Sequence, residues 1–184
     1  MRVITGTARG RRLVSREGRE VRPTSERVKE GMFSAIQFDI EGRRVLDLFA
    51  GSGQLGIEAL SRGAASCAFV DASAESVDIV QRNIKTCGFE KNAQVVRADY
   101  AMWLKSCAQT FDILFLDPPF GKGLHVPAIE AAARVLSRAA VIVCEHPADL
   151  TLPPASGGFS PVKNYRYGRT AVTLLRRAQK EDAE

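Results

Sequence analysis

The stretch Val45-Leu46-Asp47-Leu48-Phe49-Ala50-Gly51-Ser52-Gly53-Gln54-Leu55-Gly56 decides the fold. It opens as an apolar run of strand length, breaks on closely spaced glycines and continues into a segment of helical period over Leu55–Ser61. Gly51, Gly53 and Gly56 match G-x-G-x-x-G, whose glycines permit a tight turn and the close approach of a nucleotide-like ligand. Taken alone the match has little specificity, because a plain strand-to-helix turn also favours glycine.

Across the rest of the chain, apolar runs of strand length alternate with helical segments, which is the signature of an α/β domain with a mainly parallel sheet. Val45–Phe49, Cys67–Val70, Gln94–Val96, Ile113–Leu116 and Val141–Cys144 read as successive strands, near-continuously apolar because helices would cover both faces. Val77, Val80 and Ile84 share one face of a helix, where core packing explains them. The stretch 152–158 reads as a loop, and Tyr165–Tyr167 and Ala171–Leu175 as a closing antiparallel hairpin. Upstream, Val3-Ile4-Thr5 and Arg12-Leu13-Val14 suggest a small hairpin within residues 1–22. Pro23-Thr24-Ser25 then starts a helix whose Val28, Met32, Phe33 and Ile36 should dock on the body. The expected organisation is a basic arm, 1–22, followed by one domain, 23–184.

The composition, 45% hydrophobic and 26% charged, excludes a disordered chain, and no apolar run approaches the roughly 20 residues of a membrane helix. The start has no signal-peptide core, so a cytoplasmic protein is expected. Cys67, Cys87, Cys107 and Cys144 stand singly and read as reduced thiols, while His125 and His146 are too isolated to suggest a metal. The formal charge of +5 falls entirely on residues 1–30; the rest of the chain is neutral. That distribution suits an arm that meets a polyanion, with Arg9, Arg11, Arg12, Arg22 and Arg27 as candidate RNA contacts, although a solvated basic tail has the same composition.

Two acids refine the reading of the glycine loop. Asp47, four residues before Gly51, lies where a carboxylate would face a cationic or amine-bearing ligand. S-adenosylmethionine, with its amino group and sulfonium, meets that description. A buried carboxylate without a partner is costly, so Asp47 should be hydrogen-bonded to backbone or ligand. Asp71, about 20 residues past the glycines, is placed to accept from both ribose hydroxyls, as in a dinucleotide site. Asp99 could accept from an adenine amine, with Tyr100 or Met102 beside the ring, or could simply cap a helix over Tyr100–Leu104. The cofactor-binding set is thus Asp47, Phe49, Gly51, Gly53, Asp71, Asp99 and Tyr100.

The most specific motif is Asp117-Pro118-Pro119-Phe120, directly after the apolar strand Ile113–Leu116. Ligands of open α/β sheets bind outside the carboxyl ends of the strands, so these residues should border the cleft. Proline lacks a backbone N–H, which leaves its carbonyl free as a rigid acceptor. An exocyclic base amine is a poor nucleophile because its lone pair is delocalised into the ring. The Asp117 carboxylate and the Pro118 carbonyl could hold its two N–H bonds and aim the lone pair at a methyl carbon. Pro119 stiffens the turn, and Phe120 would stack on a base taken out of its helix.

With that box and Asp47–Gly56 in place, the flanks are similar to one branch of the base amino-methyltransferases. Arg22-Pro23-Thr24 with Arg27–Glu30, Gly56–Ala64, and Tyr167-Gly168 followed by Thr170 resemble the RsmD-type enzymes, the bacterial 16S ribosomal RNA guanine-N(2) methyltransferases. The resemblance spans essentially the whole chain. It implies a Rossmann-like class I methyltransferase with a mainly parallel seven-stranded sheet and a C-terminal antiparallel hairpin. It further implies S-adenosyl-L-methionine as donor and 16S rRNA or an assembled small-subunit particle as substrate. Phe120 stands where many relatives carry Tyr, and Thr5–Gly10 varies the glycine-rich opening.

Three other readings use parts of the same pattern. An NAD-dependent oxidoreductase would explain the glycines but leave Asp117–Phe120 without a role. A non-catalytic RNA-binding module would need neither motif. DNA adenine or protein glutamine methylation would suit the same acceptors, since each offers a planar amine.

Overall fold

The computed structural model of the protein describes residues 1–15 and 24–178; Arg22 and Pro23 lie outside the described residues. In chain order the elements are α1 (Glu26–Ala35), β1 (Arg44–Leu48), α2 (Gln54–Ser61), β2 (Ser66–Asp71), α3 (Ala74–Cys87), β3 (Ala93–Arg97) and α4 (Tyr100–Ser106). They continue with β4 (Phe111–Leu116), α5 (His125–Ala132), β5 (Leu136–Pro147), β6 (Phe159–Tyr167) and β7 (Thr170–Arg177). One seven-stranded sheet has the order β3-β2-β1-β4-β5-β7-β6. The pairs among β1 to β5 are parallel, and β7 runs antiparallel to both β5 and β6. This is the mainly parallel seven-stranded sheet with a closing hairpin that the resemblance implies.

Because both faces are covered, alternate residues of the central strands enter two cores. Val45, Ile113, Phe115 and Val143 pack on one side with Phe33, Ile57 and Val80. Leu46, Leu114, Leu116 and Cys144 pack on the other with Leu104, Ala128 and Ile129. Ser25 caps α1 by accepting from the Val28 N–H, and Val28, Met32, Phe33 and Ile36 are all buried, as their spacing anticipates. In α3 the buried face is Ser76, Ile79, Val80, Asn83 and Ile84, so Ile79 replaces the expected Val77, which is half-buried.

Some elements exceed their sequence reading. The run 141–144 grows into the 12-residue β5, whose first half carries exposed Arg138 and Ala139 and so lacks an apolar signal. β6 begins at Phe159, well before Tyr165, because it is an edge strand with largely exposed residues; Pro161 sits at its register shift, where no ladder bond is required of it. α5 has no expectation to match. Its short face of His125, Ala128, Ile129 and Ala132 is buried at helical spacing, and Pro127 is tolerated in the first turn.

The N-terminal segment forms the anticipated hairpin, closed by an isolated antiparallel bridge between Arg2 and Arg12. Its apolar residues nevertheless enter the body: Val3, Ala8 and Leu13 are buried in the same core as α1, α2 and α3. Glu58, fully buried on α2, accepts from the backbone N–H groups of Ile4 and Thr5 at 2.8 and 3.0 Å. The same carboxylate lies 3.4 Å from Lys29 Nζ and 2.9 Å from Arg62 Nε. Burial pushes the Lys29 ammonium below its ordinary value, and Glu58 opposes that shift. Gly6, at φ 88°, passes so close to α2 that a Cβ would stand 1.7 Å from the Ser61 carbonyl oxygen. The hairpin's apolar residues thus share the core of the body.

Candidate active site

The parallel register lines up the carboxyl ends of five neighbouring strands. Leu48 of β1 pairs with Val70 of β2 and Leu116 of β4, and Leu116 pairs with Cys144 of β5. Phe49, Asp71, Asp117 and Glu145 each follow these last paired positions by one residue in the chain. Asp99 follows β3 on the far side. The strand order reverses at β1, between its neighbours β2 and β4, which is where open α/β sheets form a ligand crevice.

The glycine loop is shaped by the backbone conformations its sequence allows. Phe49 and Ala50 both donate to the Val70 carbonyl, and Phe49 is held at φ 68°, the one left-handed non-glycine among the described residues. Such a conformation costs on the order of 1–3 kcal/mol and persists where the surroundings enforce it. Gly53 caps α2 at φ 74°. Gly56 serves packing: a Cβ there would lie 2.3 Å from the Phe69 ring and 2.6 Å from Cys67 Sγ.

Asp47 is buried and accepts from the Gly56 N–H at 2.9 Å, so it clamps strand to helix. Burial raises its carboxyl to about 7; the Gly56 hydrogen bond lowers it and the charge of Asp71 adds to the rise. Asp71 accepts from the Gly51 N–H at 2.9 Å and the Ser73 N–H at 2.8 Å, one bond per oxygen, which leaves each oxygen a further acceptor site. Asp99 accepts from Ala101 and Met102 through Oδ1, so the helix cap considered for it is present and Oδ2 remains beyond that cap. Tyr100 packs against Phe49 with ring centroids 5.0 Å apart and the planes tilted by 49°, whereas Met102 is 65% exposed.

Across the cleft, Pro118 is buried, Pro119 is exposed and Phe120, 48% exposed, presents its ring to solvent. Asp117 is pushed well above the ordinary carboxylate range by desolvation first, then by the charges of Glu145 and Asp47, while a hydrogen bond from Thr24 opposes the rise. Thr24 Oγ1 donates to Glu145 Oε2 at 2.8 Å and lies 3.5 Å from Asp117 Oδ2. The helix-start segment thereby reaches the centre of the site.

The sequence assigns no part in the site to Thr24, Glu145 or Gln54. Glu145 was detectable as the residue following an apolar strand, but its pairing with Thr24 joins positions 121 residues apart. Gln54, 6% exposed at the start of α2, carries a buried Oε1 without a hydrogen-bond partner. His125 and His146 are both buried, 6.2 Å apart edge to face; His125 meets the Glu145 carbonyl and His146 meets Thr173. Burial holds both imidazoles below their ordinary value. Among the described residues no group of three or more His, Cys, Asp or Glu is arranged to hold a metal. Arg9, Arg11, Arg12 and Arg27 are exposed, the first three on the hairpin.

Comparison with known proteins gives this geometry a family. The family described as Conserved hypothetical protein 95 matches residues 1–176. Bacillus subtilis YlbH is 39% identical over 183 residues, 96% of this chain and 99% of that protein. Ribosomal RNA small subunit methyltransferase D of Escherichia coli strain K12 is 31% identical over 186 residues, 100% of this chain and 93% of the relative. The solved structure of Escherichia coli yhhF superposes with a TM-score of 0.83 at 33% identity, covering 97% of this chain and 99% of that one. The chain therefore belongs to the Conserved hypothetical protein 95 family, that of the RsmD-type methyltransferases, and has its Rossmann-like class I fold.

Proposed function

We propose that this chain transfers a methyl group from S-adenosylmethionine to the exocyclic N(2) amine of a guanine in 16S rRNA, as naked RNA or in the small-subunit particle. The observation that carries the reading is the placement of Asp117-Pro118-Pro119-Phe120 one strand away from the glycine loop, at the carboxyl edge of the sheet. Relatives named for small-subunit ribosomal RNA methylation, matched along the whole chain, support the substrate class.

The residues present suit the cofactor. Asp71 has acceptor capacity for a ribose diol, the Phe49–Tyr100 pair offers an adenine wall and Asp99 Oδ2 an acceptor for its amine. The unpartnered Gln54 Oε1 adds a buried acceptor at the loop, and Asp47 favours a cation nearby. Bound there, S-adenosylmethionine supplies an electrophilic methyl on a sulfonium.

The chain's own part is orientation and proton handling. Phe120 stacks on the flipped base, while Asp117 and the Pro118 carbonyl take the two amine hydrogens. As the nitrogen–carbon bond forms and the sulfur–carbon bond breaks, positive charge grows on the nitrogen, and an anionic Asp117 stabilises it. The surplus amine proton then passes to Asp117, whose raised proton affinity suits an acceptor, with Thr24 and Glu145 behind it.

Mapping modified nucleotides in 16S rRNA from a strain lacking the gene tests the assignment. One N(2)-methylguanine should vanish and return with the gene. An unchanged rRNA modification pattern would overturn it.

A further inference from the structure

The basic hairpin and the glycine loop are joined by one buried side chain. Asn83 on α3 is fully buried, and its amide is spent on three backbone groups from two distant segments. Oδ1 accepts from the Val14 N–H at 2.8 Å, and Nδ2 donates to the Val14 carbonyl at 2.9 Å, which imitates a strand partner for the hairpin's second arm. Nδ2 also donates to the Ser52 carbonyl at 2.9 Å, between Gly51 and Gly53. The contact is doubled at the other arm, where Ser52 Oγ lies 3.7 Å from Met1 Sδ and the Leu13 N–H donates to the Met1 carbonyl. The link continues to the expected ribose acceptor, because the Gly51 N–H donates to Asp71.

The hairpin is a good candidate for a two-position element. Internally it is held by a short set of backbone bonds, from the Val3 N–H to the Arg11 carbonyl, the Gly10 N–H to the Val3 carbonyl and the Leu13 N–H to the Met1 carbonyl, and it is seated on the body by bonds to Ser61 of α2 and Asn83 of α3. A short segment that joins the body through a few buried side chains and polar bonds can lift as a unit at lower cost than the central strands. A ligand that requires the seated form at either end will favour it for the other.

We propose that Asn83 is a positioning residue that couples the glycine loop to the basic hairpin, so that cofactor and RNA bind with positive linkage. Resting on the function proposed above, this adds a regulatory property to the same site. By reciprocity each ligand should tighten the other by the same factor, about fivefold or more for a typical coupling.

The test measures the dissociation constant of S-adenosylhomocysteine for the full chain, with and without saturating small ribosomal subunits from a strain lacking the gene. Wild type should bind several-fold tighter with subunits present. Asn83→Ala should bring that ratio close to one, whereas Ser61→Ala should retain it. Ser61 holds the same hairpin through Thr5 and Ala8 but does not touch Ser52, so general loosening is separated from a broken coupling. A second measurement needs no variant: adding S-adenosylhomocysteine alone to wild type should slow hydrogen exchange at the Val14 amide. An unchanged ratio in Asn83→Ala, or a Val14 amide indifferent to the cofactor analogue, would overturn the coupling. Wild type failing to bind S-adenosylhomocysteine at all would instead overturn the function on which it rests.

Discussion

The Gly56 N–H donates a 2.9 Å hydrogen bond to Asp47 Oδ2, tying the end of a buried strand to the first turn of the helix that follows. One bond serves folding, since Asp47 fixes where α2 starts, and it leaves a buried carboxyl with a pKa of about 7 facing the loop. Folded Asp47 binds its proton more tightly than the unfolded chain does.

The first prediction follows from that sign. Between about pH 4, the ordinary carboxylate value, and pH 7, the folded state holds more proton than the unfolded state, so this group's contribution to stability falls as pH rises. Asp47→Asn should flatten the decline, with a difference on the order of 2 kcal/mol between pH 5 and pH 8 in urea titrations. If Asp47 faces a cation, S-adenosylmethionine binding near pH 6 should release protons, detected by calorimetry in buffers of different ionisation enthalpy. Equal affinity in the variant, with no proton release in wild type, would remove Asp47 from the cofactor set.

Glu58 offers a stability test. It accepts two backbone N–H groups of the hairpin and balances buried Lys29, so Glu58→Ala leaves a cation and two donors without their partner. Breaking a buried pair by removing one member costs about 3–5 kcal/mol. Equilibrium urea unfolding should show a loss of that size; a loss below about 1 kcal/mol would mean water replaces the carboxylate at no great cost.

A third test concerns the pH dependence of methyl transfer. Asp117 must be anionic to accept the amine proton, so the rate should rise with pH through a limb above the ordinary carboxylate range. The Thr24 hydroxyl, 3.5 Å from Asp117 Oδ2, lowers this value, against the raising charges of Glu145 and Asp47. Thr24→Val should therefore move the limb to higher pH while Thr24→Ser holds it near its original position. A limb unmoved by Thr24→Val would show that Thr24 does not act on Asp117.

The hairpin's role in RNA binding can be tested without disturbing the core, because Arg9, Arg11 and Arg12 are exposed. Replacing all three with Gln should leave stability nearly unchanged and make the salt dependence of RNA binding shallower. The log–log slope should drop by about 0.7–0.9 for each phosphate that is no longer neutralised. An identical slope would identify the hairpin's charge as solvated surface.

What was legible in the sequence is what repeats locally. β1 and β4 show as near-continuous apolar runs because both faces are buried, and Ser25 announces α1 through its cap. Gly56 is visible as a glycine, but the reason for it, contact with Phe69 and Cys67, lies on the next strand. The arginines of the hairpin hid the burial of Val3, Ala8 and Leu13, since composition averages over faces that packing separates. Thr24–Glu145 and Asn83–Val14 were out of reach because no period relates residues 121 or 69 apart.

The most direct measurement is single-turnover transfer of a labelled methyl from saturating S-adenosylmethionine to small ribosomal subunits from a strain lacking the gene. Comparing wild type with Asp117→Ala and Asp117→Asn under saturation separates chemistry from binding. Wild type should label one guanine at N(2), Asp117→Ala should be slower by on the order of 10²-fold or more through loss of orientation and of the anionic acceptor, and Asp117→Asn, which keeps one acceptor oxygen but not the charge, should fall nearly as low. Wild-type rates in both Asp117 variants, or label on any atom other than a guanine N(2), would contradict the account.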